Sequence, residues 1–109
     1  MSDNTPLTET TYYILLSLYE PLHGYGIMQR AAELSGGRVR LAAGTRYGAL
    51  NALVEKGWIT PLLGEGRKKE YRLTPVGLQV LQKELARLRE LVASGDRVLK
   101  EESEWNAKS

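Results

Sequence analysis

The sequence predicts a mainly α-helical domain with a small β-hairpin and a long C-terminal helix. Apolar residues recur at helical spacing in four segments, and two short β-prone segments flank a basic loop that contains glycine. The last third of the chain carries a seven-residue apolar repeat. The chain has 109 residues, of which 42% are hydrophobic and 26% are charged, so we expect one globular domain.

Two helices are predicted in the first third of the chain. The first is predicted from Thr8 to Leu18, because apolar residues recur at helical spacing at Tyr12, Leu15, Leu16 and the following Tyr19. A proline disfavours helix for the residue before it, so the segment from Glu20 to Gly24 ends this helix. We expect His23 to close that turn. The second helix covers about ten residues from Tyr25 and stops at the Ser35-Gly36-Gly37 segment.

A third helix is predicted from Ala43 to Lys56, with Gly57 as its C-terminal stop. One face of this helix presents the apolar residues Tyr47, Leu50, Leu53 and Val54. The opposite face presents the small residues Thr45, Gly48, Ala49 and Ala52. Small side chains allow another surface to approach closely, as insertion of a helix into a nucleic-acid groove requires.

Three short segments are candidate strands. Arg38–Leu41 alternates polar and apolar residues and predicts a brief strand. Trp58–Leu63 and Glu70–Leu73 predict a hairpin around the basic loop of residues 64–69. Because Pro61 has no N–H to donate, its strand must lie at a sheet edge or contain a bulge.

The final helix is predicted from Pro75 to about Glu102, with Thr74 as its N-cap. The acidic side chains of this helix are expected to form solvated pairs with interleaved basic ones rather than a metal site; the acidic ones are Glu84, Glu90, Glu101, Glu102 and Glu104, and the basic ones Lys83, Arg87, Arg89 and Lys100. Residues 106–109 are expected to form a frayed tail. Gly95 leaves three possibilities open: a close helix crossing, a kink or an early end. The heptad positions favour packing against the same helix of a second copy; they are Leu78, Leu81, Leu85, Leu88, Val92, Gly95 and Leu99.

The net charge of +2 is unevenly distributed. Residues 37–72 contain eight basic and three acidic side chains, a local excess of +5, whereas residues 1–36 carry −3. Such a local excess is typical of a surface that binds a polyanion.

Several classes of function are excluded by composition. The chain has no cysteine and one histidine, so it offers neither a thiolate zinc site nor a two-histidine metal site. We find no nucleophile with its base and no phosphate-binding glycine loop, and therefore expect no enzyme and no cofactor. No signal peptide or membrane-spanning run is readable, so we expect a cytoplasmic protein with no membrane partner.

The predicted order of elements is that of a winged helix-turn-helix in residues 1–74, followed by a C-terminal dimerisation helix and tail in residues 75–109, together one compact unit. Five segments in register, within about residues 7 to 100, make the chain similar to PadR-family transcriptional regulators: Leu7-Thr8-Glu9, Tyr12-Tyr13-Ile14-Leu15, His23-Gly24-Tyr25-Gly26-Ile27, Gly44-Thr45-Arg46-Tyr47 and Gly66-Arg67-Lys68-Lys69-Glu70-Tyr71-Arg72-Leu73-Thr74. The resemblance implies the short form of the family, a homodimeric repressor that binds a pseudo-palindromic operator and is often released by a small effector.

In a helix-turn-helix the N-terminal residues of the third helix enter the major groove. The basic tip of the hairpin is expected to contact phosphates, and the Tyr13 side chain could reach DNA from the first helix. The predicted DNA-binding residues are Tyr13, Thr45, Arg46, Tyr47, Gly48, Ala49, Arg67, Lys68 and Lys69. The resemblance implies that the Tyr47 hydroxyl reaches a phosphate. Arg46 stands where the family commonly has an apolar residue, and a structural salt bridge and a base contact remain equal alternatives for it.

One residue pair differs from the family pattern, and one tryptophan is a candidate for ligand binding. Ala42-Ala43 replaces the Ser-Pro that the family often has, which removes the capping oxygen of the third helix. Trp105 is a candidate for an effector pocket between subunits that would accept a small aromatic or drug-like molecule. An effector bound between the long helix and the DNA-binding core would change the distance between the third helices of the two subunits, which enter the DNA. The alternative function is a winged helix that docks a protein and binds DNA weakly.

Overall fold

The computed structural model describes residues 5–63 and 69–108, with the backbone alone for residues 63 and 101–108. Helices and strands follow in the order α1 (Glu9–Ser17), β1 (Leu22–His23), α2 (Gly24–Leu34), α3 (Ala43–Glu55), β2 (Ile59–Leu63), β3 (Lys69–Leu73) and α4 (Pro75–Lys108). The predicted fold class, mainly helical with a small sheet and a long C-terminal helix, is confirmed.

The first helices begin at side-chain caps. The Thr8 hydroxyl accepts the backbone N–H of Thr11 at 3.1 Å at the start of α1. His23 Nδ1 accepts the backbone N–H of Gly26 at 3.1 Å at the start of α2. The expectation that His23 closes the first helix was therefore wrong, because its ring satisfies an otherwise unpaired donor in the first turn of the second.

A three-stranded antiparallel sheet has the strand order β1-β3-β2. The predicted hairpin of β2 and β3 is confirmed, and Pro61 lies in an edge strand, where no neighbour on its outer side needs an N–H. The predicted strand at Arg38–Leu41 was wrong. Both sides of β3 are already occupied, on one side by Leu22–His23, while the Val39 N–H donates to the Ser35 hydroxyl at 2.9 Å.

The core lies between the helices and the sheet and draws on every helix, on β2 and β3, and on the C-cap of α1; its buried members are Ile14, Leu15, Leu18, Ile27, Leu50, Leu53, Ile59, Tyr71 and Leu81. Tyr19 and Tyr47, which periodicity places on apolar faces, are exposed instead. Tyr19 follows the end of α1, and Tyr47 lies near the start of α3, whose residues 42–45 are all exposed.

α4 begins as predicted, because the Thr74 hydroxyl accepts the Gly77 N–H at 3.0 Å and Pro75 is the first helical residue. Thr74 also donates its hydroxyl to the Gly57 carbonyl at 2.6 Å. Gly77 is buried against the carbonyl group of Trp58, and a Cβ on Gly77 would overlap that oxygen. The helix therefore starts in close contact with the segment that enters β2.

The course of α4 differs from the prediction at its end. It continues without interruption through Gly95 to Lys108, beyond the predicted Glu102 and into the predicted frayed tail; Ser109 lies outside the described residues. A helix of 34 residues is about 51 Å long. Its first half packs on the core, whereas residues 89–100 are all exposed. Within the described ranges, no helix is long and apolar enough to cross a membrane.

Candidate nucleic-acid interface

α2 and α3 form a helix-turn-helix in which α3 keeps one small-residue face free. Thr45, Gly48 and Ala52 are exposed, whereas Ala49 is half-buried and packs against the core. A Cβ built on Gly48 would meet nothing within 4 Å. Leu50 and Leu53 anchor the opposite face in the core, so the small-residue face points away from it and is accessible to a large partner.

Arg46 lies at the side of this face, turned toward α2. It is half-buried, and its Cδ and Nε atoms would be 3.7 and 3.6 Å from a Cβ on Gly24. Its guanidinium carbon is 5.2 Å from the ring centroid of Tyr47. The Nε atom is buried and has no hydrogen-bond partner among the described residues.

A cavity of about 350 Å³ opens where the starts of α2 and α3 meet the wing strand β3. Its rim carries Tyr25 and Tyr47, which are 60% and 59% exposed. The described residues that line it carry two full positive charges and no carboxylate: they are His23, Gly24, Tyr25, Arg46, Tyr47, Leu50, Lys69 and Tyr71.

Two lysines lie against aromatic rings in or beside the hairpin strands. Lys69 Nζ lies 5.9 Å from the ring centroid of Tyr71, whose own ring is buried. Lys56, at the C-cap of α3, has its Nζ 4.6 Å from the ring centroid of Trp58. These aromatic contacts orient the two ammonium groups without neutralising them. Arg67 and Lys68, which complete the predicted hairpin tip, lie outside the described residues.

The structure brings together part of the predicted DNA-binding set. Arg46, Tyr47 and Lys69 share the cavity. Tyr13 is half-buried on α1 and makes an edge-to-face contact with Tyr12 at 5.3 Å between ring centroids; it does not line the cavity. The sequence analysis did not include Tyr25 in the site, because the helical periodicity placed it among the apolar positions of α2. In the structure its ring is exposed and lies at the rim of the cavity.

Glu84 is a buried charged side chain in the described part of the protein. The prediction that it is solvated on the helix surface was therefore wrong. Glu84 is 6% exposed, accepts two hydrogen bonds from the Arg87 guanidinium at 2.8 Å each, and accepts the backbone N–H of Leu7 at 3.1 Å. The hydrogen bonds from Arg87 hold the pKa of Glu84 below its ordinary value of 4.5, against the opposing effect of burial. The same pair raises the pKa of Arg87.

No group of three or more potential metal ligands occurs among the described residues. Of the predicted effector residue Trp105 the structure describes only the backbone, as part of α4. Its side chain lies outside the described part of the chain, and the effector role stays a prediction.

A helix-turn-helix followed by a basic β-hairpin and a long helix defines a winged-helix DNA-binding fold. The model of the transcriptional regulator PadR-like family matches residues 14–83, well over half of the chain. The chain therefore belongs to the PadR-like family of transcriptional regulators, which are not enzymes.

Solved structures of similar proteins support this assignment. RosR of H. salinarum has 30% sequence identity and a TM-score of 0.70, with 93% of this chain and 92% of RosR covered. A PadR family transcriptional regulator from Eggerthella lenta has 26% identity and a TM-score of 0.66, with coverages of 82% and 80%. PadR of Bacillus subtilis, in complex with operator DNA, has 31% identity and a TM-score of 0.60, with 74% of this chain and 48% of PadR covered.

A curated relative is also similar in part. An uncharacterized 37.1 kDa protein in transposon Tn4556 of Streptomyces fradiae is 42% identical over 64 residues, which are 59% of this chain. The chain spans only 18% of that protein's length.

Proposed function

We propose that this chain is a homodimeric repressor that binds a two-fold operator in double-stranded DNA and is released by a small-molecule effector. The exposed face of α3 carries the proposal, because Thr45, Gly48 and Ala52 leave room for the floor of a major groove while cations stand beside them. The complex of Bacillus subtilis PadR with operator DNA supports this reading. In this proposal the regulator acts in the cytoplasm.

The contacts we assign follow from position. Thr45, Gly48 and Ala52 face the bases, with the half-buried Ala49 beside them, while Tyr47 and Lys69 reach phosphates at the edge of the groove. Arg67, Lys68 and Tyr13 add backbone contacts in this proposal. Phosphate contacts supply affinity without sequence preference, so selectivity rests on α3.

Dimer formation is assigned to α4. Four large apolar side chains on its outer half are 55–63% exposed: Leu91, Val92, Val98 and Leu99. Leu78, Leu85 and Leu88 are half-buried and continue the same stripe toward the core. Leu81 is buried in the core of its own chain, so it supports the helix rather than the partner contact. Residues 1–74 act as the reading head and residues 75–109 as the dimerisation helix in this proposal.

The effector hypothesis has a candidate location. A second cavity of about 320 Å³ lies between the end of α1, the end of β3 and the start of α4, lined by Tyr19, Leu73, Thr74, Pro75 and Leu78. A ligand there would alter the angle between α4 and the reading head, and with it the separation of the two α3 helices. A titration in which aromatic and drug-like ligands leave operator affinity unchanged would count against this part of the proposal.

The DNA-binding proposal is tested by selecting duplexes from a random pool and measuring affinity by fluorescence anisotropy across a salt series. We expect a palindromic site with half-sites about 10 bp apart and two chains per duplex. Ala52→Glu places a negative charge on the exposed face of α3 and should weaken binding roughly tenfold or more. Ala86→Glu, the same change at an exposed position of α4, is the control. Weak and unselective binding to every duplex would refute the proposal and favour a protein-docking module.

A further inference from the structure

The cavity between α2, α3 and β3 is partly open to solvent and brings together side chains from three elements. Arg46 reaches it from the first turns of α3, Lys69 from the start of the wing strand, and Tyr25 from the first turn of α2. The described lining therefore joins two cations and three tyrosines from separate elements, with no carboxylate among them. Cations that share a cavity without a counter-ion repel each other, and an anion between them removes that repulsion.

The conformation of Arg46 argues against both roles that the sequence leaves open for it. Among the described residues no ion pair involves Arg46, so a structural salt bridge is absent there. Its stem packs near Gly24 and Leu50, and its guanidinium lies beside the Tyr47 ring. The side chain is thus directed toward α2, away from the face that presents Thr45, Gly48 and Ala52.

The unpartnered Nε shows that no acceptor among the described residues holds the Arg46 guanidinium in place. A buried N–H without a partner costs free energy, so such atoms in folded proteins are normally paired with protein, water or ligand. The guanidinium is planar and always charged, and it matches the two oxygens of a phosphate. Lys69 lines the same cavity, and an ammonium group serves phosphates as a point charge.

We propose that this cavity binds one backbone phosphodiester of the bound DNA, held between Arg46 and Lys69 with the Tyr25 and Tyr47 rings at its rim. Arg46 is then a phosphate ligand that fixes the register of α3 in the groove and reads no base. The inference rests on the proposed DNA-binding function and adds to it a specific site shared by both helices and the wing.

The test combines a protein variant with neutral DNA linkages. Single methylphosphonates, which lack the phosphate charge, are placed in turn along the selected duplex, and each duplex is titrated with wild type and with Arg46→Met. Several linkages should weaken wild-type binding, because other side chains are also assigned to phosphates. We expect one symmetry-related pair of these linkages to weaken binding by Arg46→Met much less than binding by wild type, the remainder being the contact from Lys69. We also expect the salt slope of Arg46→Met to be shallower by roughly 2 per dimer, for one lost contact in each protomer.

Base preference distinguishes the two kinds of contact. Arg46→Met should weaken binding to selected duplexes and to duplexes with single base-pair changes by the same factor. A preference that relaxes at one base pair would overturn the proposal in favour of a base contact. Arg97→Met removes the same charge from an exposed position of α4 and should leave the linkage profile unchanged.

Folding and free anions are controlled separately. Arg46→Lys keeps the charge and should restore most of the salt slope, and equal thermal unfolding of the variants excludes a folding defect. Phosphorus NMR measures whether the DNA-free protein binds inorganic phosphate. Tight binding that Arg46→Met abolishes would overturn the proposal, because the cavity would then be a site for a free anion. If the wild-type protein selects no duplex, both the proposed function and this inference are wrong. If the wild-type protein selects a duplex and Arg46→Met binds it in the same way, only this inference is wrong.

Discussion

The carboxylate of Glu84 on α4 accepts the backbone N–H of Leu7 at 3.1 Å, although the two residues are 77 positions apart. Arg87 holds the same carboxylate through two hydrogen bonds of 2.8 Å. The segment that leads into α1 is thereby hydrogen-bonded to the first third of the long helix. A change in the direction of α4 must either carry this segment with it or break a charge-assisted hydrogen bond, which links the proposed dimer helix to the reading head.

Stability is expected to depend on pH through this contact. Because the pKa of Glu84 is lowered in the folded protein, its contribution is fully present above the ordinary carboxyl value of 4.5 and is lost as pH falls through the lower folded pKa. Glu84→Gln should lower Tm by roughly 5 °C at pH 7, and the difference from wild type should shrink below pH 4.5. Thermal unfolding at fixed protein concentration measures both.

Glu90→Gln removes an exposed carboxylate from the same helix and is the control, with little change in Tm at any pH. A difference between Glu84→Gln and wild type that stays constant down to pH 3 would show that the charge of Glu84 does not stabilise the fold.

The close approach of Gly77 to Trp58 predicts a specific sensitivity. Alanine is the better helix former, yet the added Cβ would overlap the Trp58 carbonyl oxygen, and backbone atoms cannot move aside as a flexible side chain can. Gly77→Ala should therefore destabilise the protein by about 1–3 kcal/mol in urea unfolding. Gly48→Ala, where a Cβ meets nothing within 4 Å, should instead stabilise it by about 0.5–1 kcal/mol. Equal effects of the two substitutions would contradict the packing described at Gly77.

Adding a side-chain cap at the start of α3 should stabilise the protein. Ala42 has the extended backbone of an N-cap and makes no side-chain cap hydrogen bond. Ala42→Ser supplies the missing acceptor for an N–H of the first turn, and the free energy of unfolding should rise by about 1 kcal/mol. Ala52→Ser, inside the same helix, should lower it slightly, since serine has the weaker helix propensity. If both variants lose stability in urea unfolding, the N-cap assignment of Ala42 is wrong.

The exposed stripe of α4 predicts where the proposed dimer is most sensitive. Val92 is 61% exposed in one chain, and a glutamate there would have to be buried without a partner at the contact between two helices. Val92→Glu should weaken dimerisation at least roughly tenfold in sedimentation equilibrium. Ala93→Glu places the same charge one residue along, outside the heptad seam, and should leave the dimer intact. An unchanged dimer in Val92→Glu would place the contact on another surface.

Local sequence determined most of the secondary structure of this protein. The N-caps at Thr8 and Thr74, Pro75 at the first position of α4, and the stop at Gly57, which has a φ of 77°, act through neighbouring backbone groups, so their effect is readable without knowing the fold. The hairpin is likewise readable from two β-prone segments around a loop that contains glycine. Pro61 cannot donate a hydrogen bond to a neighbouring strand, which left an edge strand or a bulge, and the sheet order decided for the edge.

Only the tertiary structure decided which of these local patterns found partners. Leu22–His23 is a strand because β3 offers it a free side, and Arg38–Leu41, with the better alternation, has none. Glu84 is buried because the Leu7 N–H reaches it from the other end of the chain. The cavity around Arg46 likewise needs α2, α3 and β3 together. Contacts between residues far apart in sequence leave no periodicity, so the site they form appears only when the chain is folded.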